Sequence, residues 1–213
     1  MAEVENVVAV VSDLSRPSCR IFAGAFAKRL GLDSNSDENS IWEREILSRM
    51  EPEERNEKFL AELRFLHFLR GLPRVRRGRY YLASRLRFIC GDGARIDVLH
   101  RLYYLHNPGS DSIRYALCLY GPLAFDFPWR SVAVDSTEGT VEELTPAVDG
   151  EMLSRREKQV LSLIKDGKTS REIASALNIS PHTVSRHRQS ILSRLQVRNS
   201  VEACRLASSL SII

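Results

Sequence analysis

The stretch Ser180-Pro-His-Thr-Val-Ser-Arg-His-Arg-Gln-Ser-Ile-Leu carries hydrogen-bond donors at helical spacing. At 3.6 residues per turn, Val184, Ile191 and Leu195 fall on one side of a helix, leaving His182, Ser185, Arg186, Gln189 and Ser193 on the other. A guanidinium can pair bidentately with guanine and a carboxamide with adenine, each pair giving roughly 1–3 kcal/mol of discrimination. Arg186 and Gln189, with Ser185 beside them, are therefore the candidate base-contacting residues. Taken singly, each also fits the solvated face of an ordinary helical bundle, so the surrounding elements carry the argument. Arg188 sits nearer the buried edge, where it can brace the helices through an ion pair with Glu157 or Glu172, or contact a phosphate.

Those elements are written plainly. Ser154 with Glu157, and Thr169 with Glu172, fit the capping box, in which hydroxyl and carboxylate satisfy each other's orphan backbone donors. Helices therefore begin near 154 and 170. The first carries Val160, Leu161 and Ile164 on one face and ends at Gly167; the second turns Ile173, Ala174 and Leu177 inward. Asn178, Ile179 and Ser180 span a tight turn, after which Pro181 suits a first helical position and Ser180 its cap. Residues 153–208 thus read as a four-helix head.

The run LSRREKQVLSLIKDGKTSREIASALNISPHTVSRHRQSILSRLQVRNSVEA resembles the LuxR/GerE-type helix-turn-helix domain of NarL- and FixJ-like regulators, over about sixty residues. The resemblance implies an all-α DNA-binding domain in which Ser185, Arg186 and Gln189 approach bases in the major groove, with Ser185 standing where many relatives carry Lys. It implies phosphate contacts from Lys168, Thr169, Ser170, Thr183 and Arg198. It also implies that a fourth helix over residues 200–208 pairs two protomers, placing Val201, Cys204 and Ala207 at a dimer seam. A two-fold dimer predicts an inverted-repeat site on double-stranded DNA with half-sites about one helical turn apart.

Charge agrees with that head. From residue 151 onward eleven Lys and Arg face five Asp and Glu, while residues 1–150 hold twenty against twenty-two. The basic excess lies where phosphates would be met, and binding should fall with salt by about −0.9 log units per log unit for each contact. No apolar run approaches the ~20 residues that span a bilayer, and Glu3 and Glu5 replace the positive start of a secretory signal, so a cytoplasmic protein is expected. Cys19, Cys90, Cys118 and Cys204 are widely spaced with no CxxC, which argues against a zinc site and, in a reducing compartment, against disulfides. Cys90 and Cys118 could act as a redox pair if their strands adjoin; otherwise they read as buried structural thiols.

Upstream the pattern switches to period two. Residues 80–90 alternate, Gly91-Asp92-Gly93 supplies a hairpin turn, and residues 95–105 alternate again with Ile96, Val98, His100 and Leu102 on one face. Asn107-Pro-Gly-Ser makes the next turn into residues 113–120, completing a three-stranded meander. Residues 7–11 and 18–22 read as an earlier hairpin. Helices are expected over 42–50 and 52–69, the latter with an apolar stripe of Phe59, Leu63, Leu66 and Leu69. Cys19-Arg-Ile-Phe, Gly31-Leu, a helical middle and Asp92-Gly before the meander resemble the PAS layout over roughly residues 5–125. The expected division is an α+β PAS-like domain over 1–136, a linker over 137–150 that mixes Gly139, Pro146 and Gly150 with acidic residues around one short strand-like piece at 140–144, and the head over 151–213.

Such domains bind a small molecule between sheet and helices, or only dimerise, and the sequence leaves both open. His67 and His100 are the positions from which a haem could be ligated, though a histidine among apolar strand residues equally reads as a hydrogen-bonded core residue; neither haem nor flavin is supported. Arg70, Arg74, Arg76, Arg77 and Arg79 form a cluster that either holds an anion or complements the acidic segment 33–62. A phospho-receiver fits poorly, because residues 7–11 are followed by only Asp13 and no Lys occurs between Lys58 and Lys158. The acyl-homoserine-lactone constellation is not recognisable around Trp42 or Trp129. No phosphate loop, nucleophile elbow or metal-spaced cluster marks an enzyme.

Overall fold

The computed structural model describes residues 2–16, 18–32, 35–41, 43–110, 112–146, 152–195, 197, 199–209 and 212–213. Contacts divide the chain into Met1–Thr145 and Pro146–Ile213.

The N-terminal unit runs β1 (Val8–Asp13), β2 (Ser18–Ala23), α1 (Ala25–Arg29), β3 (Ser36–Glu38), α2 (Arg44–Leu47), α3 (Pro52–Gly71), α4 (Arg74–Arg77), β4 (Tyr80–Ile89), β5 (Arg95–His106), β6 (Ile113–Pro122), β7 (Ser131–Asp135) and β8 (Val141–Glu143). All eight strands form one sheet in the order β3-β2-β1-β6-β5-β4-β7-β8, and every adjoining pair is antiparallel. This is an α+β, PAS-like arrangement: a hairpin, a helical middle, then a meander whose last strand lies beside the first. Its turns follow from residue type. Gly109 at φ 74° sits third in the Asn107–Ser110 turn, and Gly93 at φ 84° sits in the β4–β5 hairpin, where Ala94 N–H donates to Asp92 Oδ1 (2.9 Å).

β3 and β7 go beyond the sequence reading. β8, the strand-like piece expected over 140–144, is a three-residue, wholly exposed strand in which Val141–Glu143 pairs with residues 132–134. The first part of the segment expected as linker therefore belongs to the sheet. Helix α2 is only one turn long, and Trp42, expected at its start, lies outside the described residues.

One sheet face carries the main core: Leu82, Leu86 and Phe88 of β4, Val98 and Leu102 of β5, and Tyr120 of β6, packed under Phe65 and Leu69 of α3. Of the expected stripe, Leu63, Leu66 and Leu69 are buried and Phe59 only half-buried, while Ala61 and Phe65 join Leu69 in this core. The buried face of α3 is thus broader than the expected stripe, and it takes in Lys58 beside Glu62.

Strand register lays a polar rung across that apolar face, because Ser84 pairs with His100 and His100 with Tyr120. His100 is fully buried, its Nδ1 3.1 Å from Ser84 Oγ and its ring stacked on Tyr120 at 4.9 Å. Lys58 Nζ lies 2.7 Å from Glu62 Oε1 and 3.8 Å from Glu43 Oε2, and Tyr120 OH donates to Glu43. Burial opposes the Lys58 charge, but the two carboxylates outweigh it and push its pKa up; burial, reinforced by the Lys58 charge, drives the His100 pKa well down, so its ring is neutral. Glu43 adopts the left-handed conformation (φ 38°, ψ 50°), which costs a non-glycine residue on the order of 1–3 kcal/mol.

Two alternatives left open by the sequence are narrowed here. Cys90 follows β4 and Cys118 lies on β6 with β5 between them, so the strands do not adjoin and no redox pair forms; Cys19, Cys90 and Cys118 are free, buried thiols. Within the arginine cluster, Arg76 donates to Tyr80 OH, Arg77 to the Leu72 carbonyl, and Arg79 to Asp135 and Glu138. Among the described residues no helix is long and apolar enough to cross a membrane.

Candidate nucleic-acid interface

The C-terminal unit contains α5 (Arg155–Lys165), α6 (Ser170–Leu177), α7 (Pro181–Leu195) and α8 (Ser200–Ser209). Both capping boxes are formed. Ser154 Oγ accepts from Glu157 N–H while Glu157 Oε2 accepts from Ser154 N–H (2.7 Å); Thr169 and Glu172 repeat the exchange (2.8 Å for the return bond). Each hydroxyl cap stabilises its helix by about 1 kcal/mol. Gly167 (φ 76°) closes α5 and Asn178 (φ 52°) closes α6, both in the left-handed conformation suited to a helix end. Ser180 Oγ then accepts from Thr183 N–H (3.0 Å), starting α7 after the tight turn.

The inner faces meet as the periodicity requires: Val160 and Leu161, Ile173 and Ala174, and Val184, Ile191 and Leu195 are buried. That packing turns His182, Ser185, Arg186, Gln189 and Ser193 outward, all exposed along α7. Arg186, Gln189 and Ser185 are therefore a row of donors on one helix whose opposite face is anchored.

Charged side chains brace the frame behind that row. Glu157, almost fully buried, accepts from Ser190 Oγ and lies 3.2 Å from Arg194 Nε. Burial alone would raise its carboxyl, but the hydrogen bonds from Ser190 and Ser154 and the Arg194 charge hold it below the usual range. The exposed Glu172 carboxyl is lowered by the Thr169 backbone and side chain. Arg188 makes neither of the ion pairs open to it from sequence. It donates to Ser170 Oγ (2.9 Å) and Ser200 Oγ (3.2 Å), tying the starts of α6 and α8 to α7, while Arg194 holds Glu157.

Of the residues expected at phosphates, Lys168 and Thr169 are exposed at the start of α6, Ser170 is half-buried under Arg188, and Thr183 is half-buried against the Ser180 hydroxyl. Arg198 lies outside the described residues. Arg171, exposed in the first turn of α6, is a cation the sequence reading passed over; its place just after the Thr169 cap was the available signal. Of the three residues expected at a dimer seam, Val201 is 70% exposed, Cys204 is half-buried with its thiol toward the Leu161 carbonyl (3.8 Å), and Ala207 is fully buried in its own unit. Ala207 therefore packs inside the head, with Ala203, because α8 turns that face to α5.

A short capped helix, a tight turn and a longer helix with an outward donor face make this unit a helix-turn-helix head. Residues 151–207 match the family described as bacterial regulatory proteins, luxR family. Similar proteins include an uncharacterized response regulatory protein of Escherichia coli strain K12, YgeK, 40% identical over 60 residues (28% of this chain, 41% of that protein). The transcriptional regulatory protein DesR of Bacillus subtilis strain 168 is 39% identical over 74 residues, 35% of this chain and 34% of that protein. The matches thus span well under half the length of these relatives. Solved structures with some likeness include Escherichia coli SdiA (24% identity, TM-score 0.29, 54% of this chain and 52% of that one) and a phage VqmA–DPO complex (15%, 0.29, 99% and 88%).

Proposed function

We propose that the chain is a transcriptional regulator that binds double-stranded DNA as a homodimer, at an inverted-repeat site, with α7 in the major groove. The observation that carries this reading is the exposed row Ser185, Arg186 and Gln189 on a helix held from behind by two capping boxes and the Glu157–Arg194 brace. In this reading Arg186 and Gln189 discriminate bases, while Lys168, Thr169, Ser170, Thr183 and Arg198 fix register on phosphates. The exposed side of α8 around Val201 is the part of that helix available to a second protomer. In this reading the protein works in the cytoplasm, as a DNA-binding regulator without a catalytic role.

The N-terminal unit, in this proposal, receives a signal or dimerises, and so sets whether two heads engage DNA together. A second reading, a constitutive regulator whose N-terminal unit is a ligand-free interaction module, is favoured by one observation. The inner sheet face is filled by the chain's own Phe65, Phe88 and Tyr120, each fully buried.

In vitro selection from a random duplex library tests the proposal. The full chain should enrich an inverted repeat, and the Arg186→Ala, Gln189→Ala variant should not. Enrichment of the same repeat by the variant would remove these residues from base reading, and a single asymmetric half-site would remove the dimer.

A further inference from the structure

Among the described residues, one group of potential metal ligands comes together inside the N-terminal unit. Glu62 of α3, His100 of β5 and Cys118 of β6 present a carboxylate oxygen, an imidazole nitrogen and a sulfur that all lie within 4.8 Å of one another. The imidazole is the informative member. His100 is fully buried and its Nε2, 3.7 Å from Glu62 Oε1, has no hydrogen-bond partner. A buried polar atom without a partner is rare and points to a group that completes it.

The other ring nitrogen is already committed. Ser84 Oγ stands 3.1 Å from Nδ1, and when Nδ1–H donates to it, the lone pair falls on Nε2, facing Glu62 and Cys118. An outer hydrogen bond that fixes the ring and its tautomer is the usual companion of a metal-binding histidine. The register fixes the sulfur as well. Cys118 pairs with Leu102, two residues beyond His100, so both side chains rise from the same sheet face on neighbouring strands.

We propose that Glu62, His100 and Cys118 bind a divalent transition-metal cation of the zinc type inside the N-terminal unit. One oxygen, one nitrogen and one sulfur form the mixed donor set such cations take, and three protein ligands leave a fourth position. The donors of a tetrahedral site stand about 3.5 Å apart, so the three must close by about 1 Å. Glu62, the partly exposed member on the helix, has the freedom to do so.

Charge closes around such an ion. Once the Cys118 proton has left to solvent, the Glu43 and Glu62 carboxylates and the thiolate carry three negative charges against the Lys58 ammonium. That balance leaves two for a divalent cation. Lys58 is also the competitor, since its ammonium holds the Glu62 oxygen the metal would take, and it retains Glu43 when displaced. The site is independent of the DNA reading, because metal binding is measured without DNA and either can fail alone. Local spacing in the sequence argued against zinc because it registers only ligands that are neighbours along the chain; these three are brought together by strand pairing and helix packing.

The test uses the full chain stripped with chelator and titrated with Co2+, then with Zn2+. The expected result is one Co2+ per chain with thiolate-to-cobalt absorption in the near ultraviolet, displaced by one equivalent of Zn2+. Cys118→Ser should abolish that absorption, and Cys204→Ser should leave it. Ser84→Ala, which touches only the far side of the ring, should weaken Zn2+ binding by about 10–100-fold while far-UV circular dichroism stays unchanged. Should Cys118→Ser not fold, X-ray absorption of the zinc-loaded wild type decides, with one sulfur in the first shell expected. Folded, stripped wild type that binds no Co2+, absorption that persists in Cys118→Ser, or a zinc shell without sulfur would each overturn the proposal.

Discussion

The two units handle polar side chains in opposite ways. In the head, Arg186, Gln189 and Ser185 stand in water on a helix whose other face is anchored, so the frame does not depend on them. In the N-terminal unit, Glu43, Lys58, Ser84 and His100 are each at most 5% exposed and sit among Phe65, Phe88 and Tyr120. A polar group that faces water can be exchanged at little cost to folding. A buried one that loses its partner removes several kcal/mol. The contrast therefore separates a surface whose changes register in binding from a cluster whose changes register in stability.

The largest effect should come from Lys58→Met. It leaves two carboxylates in the core without their ammonium, and breaking a buried pair from one side costs about 3–5 kcal/mol. Both tryptophans, Trp42 and Trp129, lie in the N-terminal unit, so urea unfolding followed by tryptophan fluorescence reports this unit. Changing Glu62→Met in the same chain should restore part of the loss, because one orphaned charge is gone. A loss under about 1 kcal/mol for Lys58→Met would mean that the cluster is solvated, and the contrast would fail.

Much of the head was legible in sequence and much of the cluster was not, for a physical reason. Ser154 with Glu157, Thr169 with Glu172, Gly167, Asn178 and Pro181 act on backbone within one turn of themselves, so their spacing along the chain is their geometry. The β4–β5–β6 meander was legible in the same way, through alternation and two turns. Glu43, Glu62, His100 and Cys118 come from four elements. Only the pairing of Ser84 with His100 and of His100 with Tyr120, and the helix laid across them, brings them together. One local signal was available: Lys58 and Glu62 are spaced i, i+4 in line with Phe65 and Leu69, which puts an ion pair on the buried stripe. Reading the stripe through Phe59 and Leu63 passed over it. Ala207 shows the converse, since its spacing on α8 fits a seam between protomers as well as the core that it occupies.

Within the head the contrast can be sharpened, because Glu157 is its own buried charge. Glu157→Ala removes acceptors from Ser154, Ser190 and Arg194 and should cost about 2–3 kcal/mol, read by far-UV circular dichroism, since the head contains no Trp, Tyr or Phe. The pH dependence has a definite sign. The Glu157 carboxyl is held below its ordinary value of 4.5 in the folded head, so its contribution is fully present above that pH and is lost as pH falls through the lower folded value. Wild type and variant should therefore converge in stability under acid. A gap that widens below pH 4.5 would contradict the hydrogen-bonded carboxylate. Arg188→Met, which removes two hydrogen bonds to hydroxyls from a half-buried guanidinium, should cost less, about 1–2 kcal/mol. Unchanged stability with weakened DNA binding would make Arg188 a phosphate ligand rather than a brace.

The smallest effect on folding is expected where the effect on recognition is greatest. Arg186→Ala with Gln189→Ala removes two exposed side chains from a helix interior that tolerates Ala, so the unfolding free energy should move by less than about 0.5 kcal/mol. Preference for the selected site over random duplex should nevertheless fall by roughly 1–3 kcal/mol for each base pair no longer read. The salt dependence of the remaining binding separates the two roles. If Lys168 and its neighbours at the start of α6 carry the phosphate contacts, the log–log slope changes by less than one unit, whereas loss of a phosphate contact at Arg186 would reduce it by about 0.9. A variant with its slope intact and its site preference gone would show that one face of α7 reads sequence while the start of α6 holds the backbone.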